Sequence, residues 1–214
     1  MLHADLYYSF RSPYSYIGSW RYRALTKEYD LAIRVRPVYP IATRNPTFFD
    51  GVNPLWMGYL QRDVRRMAEF HGVSFGKPRP DPIVMNNETL EIAADQPFIR
   101  QLTYLGIEAE RRGHGLDFCC EVGRDIWGAV EDWHLPENMS ASVARAGLDL
   151  AEMEAAIAGN EAALEAEIAD NQATEEAAGH WGTPCLVFEG EPFFGQDRID
   201  MAVWRMKQRG LMAR

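Results

Sequence analysis

The sequence predicts an α/β fold whose two ends carry the strands and whose middle is helical. Three observations predict it. Leu2 to Val38 reads as strand, helix, strand. Pro54 to about His180 reads almost entirely as helix. From Cys185 onward the pattern returns to strand, strand, helix.

Leu2, Ala4, Leu6 and Tyr8 alternate with His3, Asp5, Tyr7 and Ser9, which is the period of a strand. Ser12-Pro13 then offers an N-cap followed by a proline at the first helical position, where its missing N–H is not needed. That helix carries Ile17, Trp20, Tyr22 and Leu25 and runs to about Tyr29. Leu31, Ile33, Val35 and Val38 around Arg34 and Arg36 form a second strand, in a span suited to a parallel crossover. Ile41 to Pro54 is loop-like, with turn signals at Asn45-Pro46 and Asp50-Gly51.

In the helical stretch, Leu60, Val64, Met67 and Ala68 share one face, with Arg62, Arg65 and Arg66 largely on the other. A segment opening at Pro97 ends near Gly113; others run from Phe118 to Trp133 and from Ser140 to Ala146. Asp149 to Ile157 and Glu161 to Ala178 are rich in Ala and Glu and helical by propensity. Cys185 to Phe188 is then a short buried strand, Glu189-Gly190-Glu191 a turn, and Pro192 to Phe194 an edge strand, where proline is tolerated. The last helix holds Ile199, Val203, Trp204 and Met206. The whole is an α/β, thioredoxin-like βαβ…ββα domain, residues 1–42 and 181–214, interrupted by a large all-helical insertion, residues 43–180.

The formal net charge is −9, which argues against a nucleic-acid partner. Hydrophobic residues make up 47% and charged residues 25%, the balance of a folded soluble chain. Three cysteines without a C-x-x-C suit neither a disulfide scaffold nor a zinc ribbon. No signal peptide or membrane-length apolar run is visible, so the expected location is cytoplasmic, with no membrane partner. The five histidines are scattered, and no pair has metal-ligand spacing, so no metal site is expected.

Two distant segments carry the chemistry. Phe10-Arg11-Ser12-Pro13-Tyr14-Ser15-Tyr16 lies at the turn from the first strand to the first helix, and Gly182-Thr183-Pro184 precedes the third strand. In a thioredoxin-like fold the first turn carries the redox dithiol, and a cis-proline loop faces it. Here Ser12 and Ser15 stand where the two cysteines would be, and a serine cannot exchange disulfides. A hydroxyl and free N–H groups at a helix N-terminus remain, and these favour an anion such as a ligand's thiolate. Plainer readings stand beside this one. Ser12 is a sound N-cap, Asp197 a sound cap for the last helix, Arg198 a partner for a structural ion pair, and Cys185 a buried thiol.

With Phe193-Phe194-Gly195-Gln196-Asp197-Arg198 and the helix around Tyr59 to Ala68, these segments make the chain resemble the 2-hydroxychromene-2-carboxylate isomerases. That family is related to kappa-class glutathione transferases and, more distantly, to DsbA. The resemblance implies a glutathione-dependent cis–trans isomerase acting on an aromatic carboxylate, and a homodimer. Ser12 would stabilise the glutathione thiolate. Thr183 beside a cis Pro184 would pair with the glutathione cysteine, and Asp197 with Gln196 and Arg198 would meet the γ-glutamyl end. Asn45 would match a loop asparagine, with Asn53 as the alternative. A kappa-like transferase, or a DsbA-family protein without dithiol chemistry, is the alternative activity. One departure stands out: the family lysine three residues before Tyr59 is here Trp56, leaving Arg44 or Arg62 to replace its charge.

The acidity is local. Ala146 to Asp197 holds 12 acidic residues and no Lys or Arg, so the remainder is net positive. Arg11, Arg44, Arg62 and Arg198 lie in or near the segments named above.

Overall fold

The computed structural model describes residues 1–49, 51–86, 88–89 and 91–214. Asp50 of the predicted Asp50-Gly51 turn lies outside them. Strand β1, Leu2–Tyr8, pairs in parallel with β2, Leu31–Pro37, from Leu2 opposite Leu31 to Tyr8 opposite Pro37. Strand β3, Cys185–Phe188, runs antiparallel to β1, and β4, Glu191–Phe194, antiparallel to β3. The sheet order is β2-β1-β3-β4, so the proline-bearing strand is at an edge, as expected. Helix α1, Pro13–Glu28, makes the parallel crossover.

Strand alternation divides the side chains between two faces. Ala4, Leu6 and Tyr8 join the main core with Leu186, Phe193 and the α1 residues Ile17 and Tyr22. Tyr7 points the other way, to Val38 and Cys185, and its hydroxyl donates to Thr174 at 3.1 Å. Helices α2 (Ile41–Arg44), α3 (Pro54–His71), α4 (Pro97–Arg111), α5 (Gly115–Trp127), α6 (Pro136–Arg145), α7 (Leu150–Ile157) and α8 (Glu161–Ala177) follow β2. Leu102 and Leu105 of α4, and Phe118 and Val122 of α5, share one continuous core with the sheet. The last helix is α9, Ile199–Lys207, entered through a 3₁₀ turn at Gln196–Arg198.

Four expectations need correction. The loop after β2 contains the short helix α2. The described residues of 72–96 are not helical: Pro78, Pro80 and Pro82 cannot donate to a helix ladder, and only isolated bridges form among those residues. Helix α5 stops at Trp127, and Ala129 and Asp132 beyond it take positive φ. Helix α6 begins earlier than expected, at Pro136. Among the described residues no helix is long and apolar enough to cross a membrane.

Candidate active site

Helix α1 places Ser12 at the C-terminal end of β1, in extended conformation at the N-cap position. Its Oγ accepts the Ser15 N–H at 3.2 Å and donates to the Thr183 carbonyl at 3.1 Å. The cap and the facing loop therefore meet at one hydroxyl. Ser15 is buried beneath it, and no described residue bonds its hydroxyl. The Tyr14 N–H, in the first turn, has no acceptor among the described residues. Such orphan donors carry the positive end of the helix dipole.

The Thr183-Pro184 peptide bond is cis. The Pro184 carbonyl is taken by the Gly195 N–H at 2.8 Å, whereas the Thr183 N–H has no acceptor among the described residues. His180 Nδ1 accepts the Gly182 N–H at 2.9 Å, and its ring stacks on Phe194 with centroids 4.0 Å apart. Burial lowers the His180 pKa, which suits a neutral ring that accepts at Nδ1. A Cβ on Gly182 would stand 2.7 Å from the Phe194 ring, so the loop lies close because this residue is glycine.

Ser12 and Thr183 open onto a cleft of about 400 Å³. Its walls are mainly apolar and aromatic. Phe48 meets Trp56 and Trp181 edge-on at 6.3 and 6.0 Å. Trp56 is thus a wall of this cleft, at the place of the resemblance's lysine. The cations lining it are Arg11 and Arg44. Arg11 makes a two-point pair with Asp81 at 3.0 and 3.2 Å. Arg44 donates to the Trp181 carbonyl at 2.6 Å and reaches Glu175 at 3.4 Å.

Sequence reasoning missed one constellation. Tyr14 and Tyr59, both walls of the cleft, donate to Asp63 at 2.6 and 3.2 Å, and Arg66 pairs with the same carboxylate. The Tyr14 hydrogen bond holds the Asp63 carboxyl below its ordinary value. Burial and that carboxylate push the Tyr14 phenol well up. Tyr14 and Asp63 lie 49 residues apart, and no local pattern joins them.

The other predicted residues are placed less centrally. Asn45 is exposed, C-caps α2 and accepts the Thr47 hydroxyl at 2.9 Å; Asn53 caps α3. Gln196 is buried against Gly18 of α1, and its carbonyl accepts from Arg21. Asp197 does not cap α9; its carboxylate is exposed and pairs with Arg198 at 2.7 Å. Arg62 is exposed on α3. Cys185 is fully buried, and that burial pushes its thiol up to about 12. Cys119 and Cys120 are buried packing residues.

The chain is 25% identical over 204 residues to a 2-hydroxychromene-2-carboxylate isomerase of Pseudomonas putida, a match spanning 92% of this chain and 90% of that protein. A solved 2-hydroxychromene-2-carboxylate isomerase superposes with a TM-score of 0.73 at 19% identity, over 97% of this chain and 95% of the other. The cytosolic disulfide reductase DsbM of Pseudomonas aeruginosa, solved with GSH, superposes with a TM-score of 0.58 at 16% identity, over 97% of this chain and 100% of the other. The family model described as a DSBA-like thioredoxin domain matches residues 4–207, nearly the whole chain, and the protein therefore belongs to that family.

Proposed function

We propose that the protein is a glutathione-dependent isomerase of conjugated aromatic substrates. One observation carries the reading: the Ser12 hydroxyl stands at the N-terminus of α1, against the Thr183 backbone, where a dithiol enzyme would hold its reactive cysteine. The relative from Pseudomonas putida, a 2-hydroxychromene-2-carboxylate isomerase, adds support.

The residues present fit the cysteine end of glutathione. Among the described residues the Thr183 N–H has no acceptor and its carbonyl accepts only from Ser12, so an extended ligand backbone can pair there as an added strand. When bound, glutathione supplies a thiolate that adds reversibly to a conjugated carbon and so permits rotation about the former double bond. Ser12, whose hydroxyl donates to the Thr183 carbonyl, would donate instead to a bound thiolate, and the Tyr14 N–H would offer a second donor. Both donors favour the thiolate over the thiol. The aromatic walls, with Trp56 and Trp181, take the flat part of the substrate and keep water from it. Asp197, exposed beside Arg198, is available to the γ-glutamyl end.

The test is calorimetry with glutathione at millimolar concentration, followed by turnover of a cis-configured conjugated aromatic ketone. Binding, and isomerisation without net consumption of glutathione, are expected. An absence of binding would sink the reading. Stoichiometric consumption with a stable adduct would replace it with glutathione transfer.

A further inference from the structure

Arg44 lines both the cleft and a second cavity of about 570 Å³, whose walls include Tyr39, Gln96, Arg100 and Gln172. It ends the short helix α2, and only 11% of its side chain is exposed. A guanidinium has five N–H donors in a planar fork. Arg44 uses one on the Trp181 carbonyl and one, at 3.4 Å, on Glu175, while its Nε has no partner among the described residues. Arg11, by contrast, commits Nε and one terminal nitrogen to Asp81. Behind Arg44, Glu175 is wholly buried, and its Oε1 also lacks a partner among the described residues. A buried carboxylate with one long contact and one empty oxygen is poorly satisfied as a purely structural pair.

We infer that Arg44 is the anchor of the cleft for a ligand carboxylate, and that Glu175 positions it and sets how strongly it holds that anion. The inference rests on the cleft being the ligand site, and does not require glutathione. An incoming carboxylate and an ionised Glu175 compete for one guanidinium. Burial pushes the Glu175 carboxyl up to about 7, with Arg44 pulling it down. The groups facing it are Arg44 from α2, Glu176 from α8, Tyr7 from β1 and Cys185 from β3. Burial raises both the Tyr7 phenol and the Cys185 thiol, so each is neutral near pH 7. His180, just beyond α8, has its pKa lowered by burial. As pH falls, Glu175 takes a proton, the Arg44 charge is left uncompensated, and carboxylate binding tightens.

The experiment titrates the full chain with trans-cinnamate and its neutral amide, without glutathione, at pH 6 and pH 8. Trp56 and Trp181 in the cleft wall report binding by fluorescence. A second arm uses glutathione and its glycyl ester. The preference for the acid over its neutral analogue is expected to be about tenfold greater at pH 6. Arg44→Gln should remove that preference, a loss of roughly ten- to a hundredfold for the acid, with the neutral probe still bound. Arg44→Lys should restore part of it. Glu175→Gln should keep the preference and abolish its pH dependence. An effect in the first arm assigns the carboxylate to the aromatic substrate, and one in the second assigns it to glutathione. Either supports the inference. No Arg44-dependent preference in either arm overturns it, as does a pH dependence that persists in Glu175→Gln. If glutathione fails to bind while cinnamate shows the Arg44 dependence, the proposed function falls and this inference stands.

Discussion

Ser12 combines two roles that are usually weighed against each other. As an N-cap it accepts the Ser15 N–H, and as a donor it faces the Thr183 carbonyl. The two uses involve different parts of the hydroxyl, lone pair and proton, so neither excludes the other. They have different signatures. Ser12→Ala should lower stability by about 1 kcal/mol through the lost cap, read by urea unfolding. If the proposed function holds, it should also lower turnover with glutathione by roughly ten- to a hundredfold, the worth of a hydrogen bond to a charged group. A role confined to the fold would show the first effect without the second at temperatures well below melting. Ser12→Thr keeps a hydroxyl at the position and should retain most of both.

Helix positions follow from close approach as much as from hydrophobic pattern. Gly106 of α4 is the example. A Cβ built there would lie 2.8 Å from the Phe10 ring and 3.2 Å from Pro37, at the end of the sheet that carries the cleft. In an exposed helix, Gly→Ala gains up to about 1 kcal/mol. Gly106→Ala should instead destabilise by about 1–3 kcal/mol, since Phe10 is itself held by edge-on contacts to Tyr8 and Phe118. Urea unfolding decides the sign, and a gain would mean that α4 can move off the sheet. The sequence makes some elements legible and hides others for physical reasons. Helix α1 announces itself through Ser12-Pro13, and β1 through strict alternation, because both signals are local. That the described part of 72–96 is not helical was signalled by Pro78, Pro80 and Pro82, a signal hidden by the helical patterns around it. The end of α5 was signalled by Gly128 at its C-cap, although the positive φ falls beyond it on Ala129 and Asp132, which are not glycine. In the cleft, Ser12 and Thr183 were legible as facing motifs. The Arg44–Glu175 and Tyr14–Asp63 pairs were not, because only tertiary packing brings 131 and 49 residues of separation to contact.

Across the whole molecule, charge is segregated rather than spread. The stretch from Ala146 to Asp197, which includes α7 and α8, holds 12 acidic residues and no Lys or Arg, and the mainly aromatic wall of the cleft carries Arg11 and Arg44. One carboxylate of the helical block instead closes the sheet. Strand β2 is an edge, and Glu110 of α4 accepts the outward Val35 N–H at 3.1 Å. That leaves a carboxyl largely removed from water, and burial pushes it up to about 7 from an ordinary 4.5. Between those two values the unfolded chain has released the proton while the folded chain still holds it. Stability contributed by this group is therefore full below about pH 4.5, falls as pH rises, and levels off above about pH 7. Glu110→Gln keeps a carbonyl oxygen for the Val35 N–H and has no proton to lose. Relative to the unsubstituted protein it should gain about 2–3 kcal/mol between pH 4.5 and pH 8, measured from paired urea unfolding curves. Taking the difference between the two proteins cancels the opposite acid sensitivity of Asp63, whose carboxyl is held low by Tyr14. A difference that does not change with pH would mean that Glu110 ionises as freely in the fold as outside it. The edge of β2 would then be closed by an ionised carboxylate in contact with water.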